Sequence, residues 1–120
     1  MKIIYKTIVT GIGKFAAAFC DEKLIILFKD NAPEDLADYC VLHTGNEVLD
    51  SVRQGDVLVA EGTKYKVTYV GDEVLANLKN LGHITLRFDG RTEGLGGSIC
   101  LEEKVLPDIR IGDSISIYRE

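Results

Sequence analysis

The sequence predicts a mostly β domain: a small closed antiparallel barrel carrying two short helices. Three observations lead there. Seven or eight short segments carry strand patterning, from "KIIYKTIVT" at 2–10 to "SISIYRE" at the end. The connections are too short to place a crossover helix between most strands, as a parallel doubly wound sheet requires. Closure into a barrel hides the edges that such short strands would otherwise expose. With 120 residues, the chain suits one domain, 1–120, with a sizeable core.

Each element has a local reason. After the first strand, Gly11 and Gly13 bracket a turn, and "KFAAAFC" allows a short helix or an irregular segment. "KLIILF", residues 23–28, is an isoleucine-rich strand. In "KDNAPEDLADYC", Asn31 and Glu34 have capping-box spacing and Pro33 stands near the helix start, which predicts a helix of about two turns. "CVLHT" resumes a strand. "DVLVA" and "KYKVTYVG" flank Gly62-Thr63 and form a hairpin. In "DEVLANLKNLG", residues 72–82, Val74, Leu75, Leu78 and Leu81 share a helical face and Gly82 ends the helix. "HITLRFDG", "SICLEEKVL" and "SISIYRE" complete the strands. "VRQGDVLVA" and "DIRIGDSISI" echo each other, with Gly55-Asp56 and Gly112-Asp113 turning the chain into a strand; a pseudo-repeat would account for this.

The totals exclude several functions. A formal net charge of −5 opposes nucleic acid as a partner. No segment reaches the roughly 18 apolar residues of a membrane span, and the N-terminus alternates as a strand does, unlike a signal peptide. The expectation is a cytoplasmic protein without direct membrane insertion. Cys20, Cys40 and Cys100 are odd in number and scattered, which suits small buried hydrophobes better than disulfides or a zinc site.

Chemistry therefore centres on the two histidines. His43 stands at a strand end in "DYCVLHTGNEV", before Thr44-Gly45-Asn46. If Leu42 faces the core, His43 faces out or into a groove, and the hydroxyl, amide and backbone groups after it could donate to an anion. His83 opens "HITLRFDG" directly after Gly82 and could orient a reactive imidazole. Arg87 is four positions on, on the same strand face, and could neutralise phosphate or contact an acidic partner. "GLGG", residues 94–97, lacks the lysine and helix of a phosphate loop, and the loop "GRTEGLGGS" is expected to project or flex. No HExxH, CxxC or G-x-S-x-G occurs.

Three stretches carry a resemblance: "YKTIVTGIG", "APEDLADYCVLHTG" and "LGHITLRFDG", with "PDIRIGDSISI" closing the chain. Together they resemble the glucitol/sorbitol-specific enzyme IIA component of the phosphoenolpyruvate-dependent sugar phosphotransferase system. The resemblance implies a closed β-barrel and a cytoplasmic phosphocarrier that meets the membrane permease transiently. It implies transfer from the phosphocarrier protein HPr to this chain, and onward to the IIB component of a glucitol/sorbitol permease. Carried onto "YCVLHTG", it makes His43 the phospho-acceptor, at Nε2, with His83 as a neighbour of undetermined role. No cofactor or metal is implied, since donor and acceptor are both imidazoles.

Such a carrier should hold His43 in a shallow depression open to proteins, with backbone N–H groups or an arginine stabilising the transferred charge. An apolar rim including Leu42 or Phe88 would suit transient docking. Two other functions fit the same barrel: a non-catalytic docking or regulatory module, and a sugar-binding domain. The absence of tryptophan opposes the second.

Overall fold

The computed structural model describes residues 1–45 and 48–120. Eight strands run β1 (Lys2–Ile12), β2 (Leu24–Lys29), β3 (Val41–His43), β4 (Val57–Ala60), β5 (Thr63–Val70), β6 (Ile84–Arg87), β7 (Ser98–Leu101) and β8 (Ser114–Arg119). A 3-10 helix spans Ala16–Glu22, and two α-helices span α1 (Glu34–Ala37) and α2 (Val74–Leu81). The strands close into a barrel in the order β1-β3-β2-β6-β7-β5-β4-β8.

The expected closed barrel is present, with one refinement. Six ladders are antiparallel, while β2–β3 and β6–β7 are parallel. Parallel neighbours need a crossover rather than a hairpin. The segment between β2 and β3, which contains α1, supplies one, and the glycine-rich segment between β6 and β7 supplies the other.

The core follows the two-residue strand period. Ile25 and Leu27 of β2, Ile84 and Leu86 of β6, and Ile115 and Ile117 of β8 are buried together. Phe88 is also wholly buried, edge-on to Tyr65, so it cannot form the docking rim expected of it. Strand β1 is long enough to serve two partners. Lys2–Ile8 pair with β8 and Val9–Ile12 with β3, and a bulge between Val9 and Gly11 lies at the start of the second ladder.

Three local expectations change. Helix α1 is a single turn with Pro33 as its N-cap, and no side chain caps it, so the Asn31–Glu34 box does not form. On α2, Val74 and Leu78 are buried but Leu81 is exposed. The loop before β7 is tied down. Thr68 Oγ1 donates to the Arg91 carbonyl at 2.6 Å and the Tyr69 hydroxyl to the Gly94 carbonyl at 3.1 Å. The Gly96 carbonyl accepts from Glu73 N–H at 2.9 Å. A Cβ on Gly71 would collide with that carbonyl.

The two Gly-Asp turns are alike in detail. Gly55 and Gly112 have φ of 95° and 96°. Asp56 Oδ2 accepts from Arg53 N–H at 2.8 Å, and Asp113 Oδ2 from Arg110 N–H at 2.9 Å. Each glycine donates to a neighbouring strand, Gly55 to Val67 O and Gly112 to Val9 O. Val67 and Val9 donate back to the Asp56 and Asp113 carbonyls. The sequence echo is thus a repeated structural unit. Only one copy is buried: Asp56 is 2% exposed and bound by the Arg119 guanidinium at 2.8 and 3.0 Å.

Candidate functional site

Strands β1, β3 and β2 are neighbours, and their register brings three polar residues together at one end of the barrel. Val9 and Lys29 both pair with His43. Val41 and His43 are buried while Leu42 between them is half-buried, so His43 faces inward. This reverses the expected facing: Leu42 packs on the outside, beside Gly11. Thr7 is two residues from Val9 on the inner face and is wholly buried.

His43 is held at both ring nitrogens. Nε2 lies 2.7 Å from the Gly82 carbonyl, which can only accept, so Nε2 carries the proton. Nδ1 then accepts from the Thr7 hydroxyl at 2.7 Å and from Gly45 N–H at 3.1 Å. Gly45 N–H also points to Thr7 Oγ1 at 3.1 Å, and Thr44 Oγ1 stands 3.2 Å from the same oxygen. Tyr5 meets the ring edge-on, and its buried hydroxyl has no hydrogen-bond partner among the described residues.

Burial lowers the His43 pKa below the ordinary histidine value; the Gly82 carbonyl and Asp30 oppose this, and Lys29 adds to it. The imidazole is neutral at neutral pH, with its Nδ1 lone pair engaged by Thr7 and Gly45. It is also 0% exposed, where a shallow open depression was expected. Reaction at this ring requires the barrel end to open.

Neither of the other two expected site residues hydrogen-bonds the His43 ring. His83 stacks on Phe28 at 4.7 Å between centroids, and its backbone N–H bonds to Asn77 O. It is the neighbour of the Gly82 carbonyl that engages His43, and no hydrogen bond joins the two rings. Arg87 does share the outer face with His83. However, Arg87 pairs with Leu24, five positions along β2 from Lys29, or ~16 Å at strand rise. Its guanidinium faces Asp89 at 3.3 Å. Asn46, expected in the polar turn, is outside the described residues. Cys40 and Cys100 are buried as expected and Cys20 is exposed.

Two residues at the site were not anticipated. Thr7 carries the inner-face phase of β1, but threonine is common in strands. Lys29 had a clearer signal: it continues the phase of Ile25 and Leu27, which places a cation at the inward end of an apolar strand. Gly45 and Gly82, with φ of 67° and 59°, flank its stem. A Cβ on Gly45 would stand 3.0 Å from Lys29 Cγ. One on Gly82 would stand 3.0 Å from Lys29 Cβ and 3.1 Å from His43 Cε1.

Residues 4–116 match the family described as the PTS system glucitol/sorbitol-specific IIA component. The chain belongs to this family. Two relatives, the PTS system glucitol/sorbitol-specific EIIA components of Shigella flexneri and Escherichia coli (strain K12), are each 36% identical over 113 residues, covering 93% of this chain and 92% of theirs. The crystal structure of a PTS system IIA component from Enterococcus faecalis V583 superposes with a TM-score of 0.84 at 31% identity, covering 96% of this chain and 100% of that one. As a IIA component, the chain carries phosphoryl groups through histidine chemistry. No helix among the described residues is long and apolar enough to cross a membrane.

Proposed function

We propose that His43 accepts a phosphoryl group from phosphorylated HPr and passes it to the IIB component of a glucitol/sorbitol permease, the IIA barrel working in the cytoplasm and meeting the permease transiently. The observation that carries this is a neutral imidazole fixed between a hydroxyl, a backbone N–H and a backbone carbonyl. It lies within the span that matches the family.

A lone pair on a His43 nitrogen forms the new P–N bond. The donor's P–N bond breaks, and its electron pair returns to the donor imidazole. The phosphorylated ring keeps its one proton on the other nitrogen, and the donor ring, protonated on its own other nitrogen, leaves as a neutral imidazole, so no further acid or base is needed. The second transfer repeats these steps with His43 as donor. For the expected attack by Nε2, the Gly82 carbonyl must withdraw and the proton must reside on Nδ1. Thr7 Oγ1 is placed to accept a hydrogen bond from that Nδ1–H, because a hydroxyl rotates between donor and acceptor roles.

One observation favours the second reading, a docking module without phosphotransfer: a histidine with no exposed surface and both nitrogens satisfied is also how a structural histidine looks. A mass-spectrometric time course separates the two. The chain, His43→Ala and His83→Ala are each mixed with phosphoenolpyruvate, the general phosphotransferase enzyme and HPr. An acid-labile phosphoryl gain in wild type, retained at equal or slower rate in His83→Ala and absent from His43→Ala, supports the carrier. A gain lost only in His83→Ala moves the acceptor to His83. No gain in any variant, with an active control acceptor, supports the docking module.

A further inference from the structure

We propose that Lys29 is the cation that binds the phosphoryl group while it enters and leaves His43. This deepens the carrier assignment above and rests on it.

The first argument is register. Lys29 is paired with His43 in the parallel β2–β3 ladder, and paired residues project from the same sheet face. The second is phase. Lys29 follows Ile25 and Leu27 on the inner face, where a charged residue is costly unless something offsets its partial desolvation. Lys29 is half-buried, and among the described residues its ammonium makes no ion pair.

The third is the packing of its stem. Gly45 lies against Cγ and Cδ, and Gly82 lies against Cβ and the His43 ring. Both glycines are in the left-handed region, where other residues are strained. The lysine stem and the imidazole are therefore lodged side by side between two backbone corners that leave no room for side chains.

The fourth is charge. A phosphoryl group brings about −1.5 to −2 charges at neutral pH. The other donors around His43 are neutral: the Thr7 and Thr44 hydroxyls and Gly45 N–H. The whole chain carries −5, so a nearby positive charge must come from a specific residue. Arg87 is committed to Asp89 and is remote along β2. Lys29 is the cation that flanks the acceptor ring. It donates hydrogen bonds to the equatorial oxygens and keeps all its protons, and the bond changes are those given for His43.

Rapid-quench transfer from phosphorylated HPr to wild type, Lys29→Met, Lys29→Gln and Lys29→Arg tests this. The expected result is a fall in transfer rate of about 10²-fold in the Met and Gln variants, with substantial rescue by Arg. The ³¹P shift of the phosphohistidine should move in Met and Gln and stay near wild type in Arg, which a merely structural lysine would not produce. Far-UV circular dichroism confirms that the variants compared are folded. Lys29→Gln phosphorylated on His43 at the wild-type rate, with an unchanged ³¹P shift, overturns the lysine proposal and leaves the carrier assignment standing. Wild type phosphorylated at a residue other than His43 overturns both.

Discussion

Thr7 and His43 are joined across the β1–β3 ladder by a 2.7 Å hydrogen bond from the threonine hydroxyl to Nδ1, and both residues are wholly buried. Among the described residues the threonine is the one side chain that hydrogen-bonds the ring on that side, since the other contact comes from the Gly45 backbone.

Thr7→Val keeps the shape and removes the hydroxyl. It should cost about 1 kcal/mol in unfolding free energy. It should slow phosphotransfer more than Thr7→Ser, because a proton on Nδ1 then has no acceptor. Urea denaturation and quench kinetics on both variants check this; equal kinetics for Val and Ser would show that the hydroxyl does not position the ring.

Gly82→Ala forces a side chain into left-handed backbone at φ 59° and against both Lys29 and His43. The expected cost is about 1–3 kcal/mol, with a displaced His43 ring. Thermal unfolding gives the first, and the imidazole ¹⁵N shifts give the second. Unchanged ¹⁵N shifts would mean that this corner does not hold the ring.

Burial lowers the pKa of both histidines relative to the unfolded chain. The unfolded state therefore takes up protons first as pH falls below about 6.5. Stability is full above that value and declines on acidification until the folded-state pKa values are passed. Urea unfolding from neutral pH to about pH 5 should show this decline. His43→Gln should show a shallower one, and an equal slope would mean that the buried imidazole does not contribute.

Asp56 and Asp113 occupy equivalent turns, yet of the two only Asp56 is buried and bound by an arginine guanidinium among the described residues. Asp56→Ala should cost about 1–3 kcal/mol, and Asp113→Ala clearly less. Equal losses in denaturation would show that the backbone turn, rather than the buried ion pair, carries the stabilisation.

Much of the barrel was legible because the alternation of "KLIILF", "HITLRF" and "SISIY" is strong and local. The Gly-Asp echo was legible for the same reason, since left-handed backbone calls for glycine. What was hidden depends on tertiary register. A three-residue strand with an apolar residue on each face, Val41 inside and Leu42 outside, does not reveal which way His43 points. The pairing of Lys29 with His43 exists only because β2 and β3 run parallel, and nothing within either strand announces that. Arg87 looked available because sequence shows its spacing from His83 but not its distance from His43 or its engagement by Asp89.

With His43 as the proposed acceptor, its sealed position bears on selectivity between water and protein. Where a ring is reachable only in a minor open population, every spontaneous encounter is scaled down by that population, whether with solvent or with a stray acceptor. A partner that itself favours the open barrel end escapes the penalty, because its binding energy raises the population it needs. On the proposed assignment of His43 as acceptor, fidelity would then come from the work of displacing the Gly82 carbonyl by a fitting protein surface, more than from the intrinsic reactivity of the imidazole.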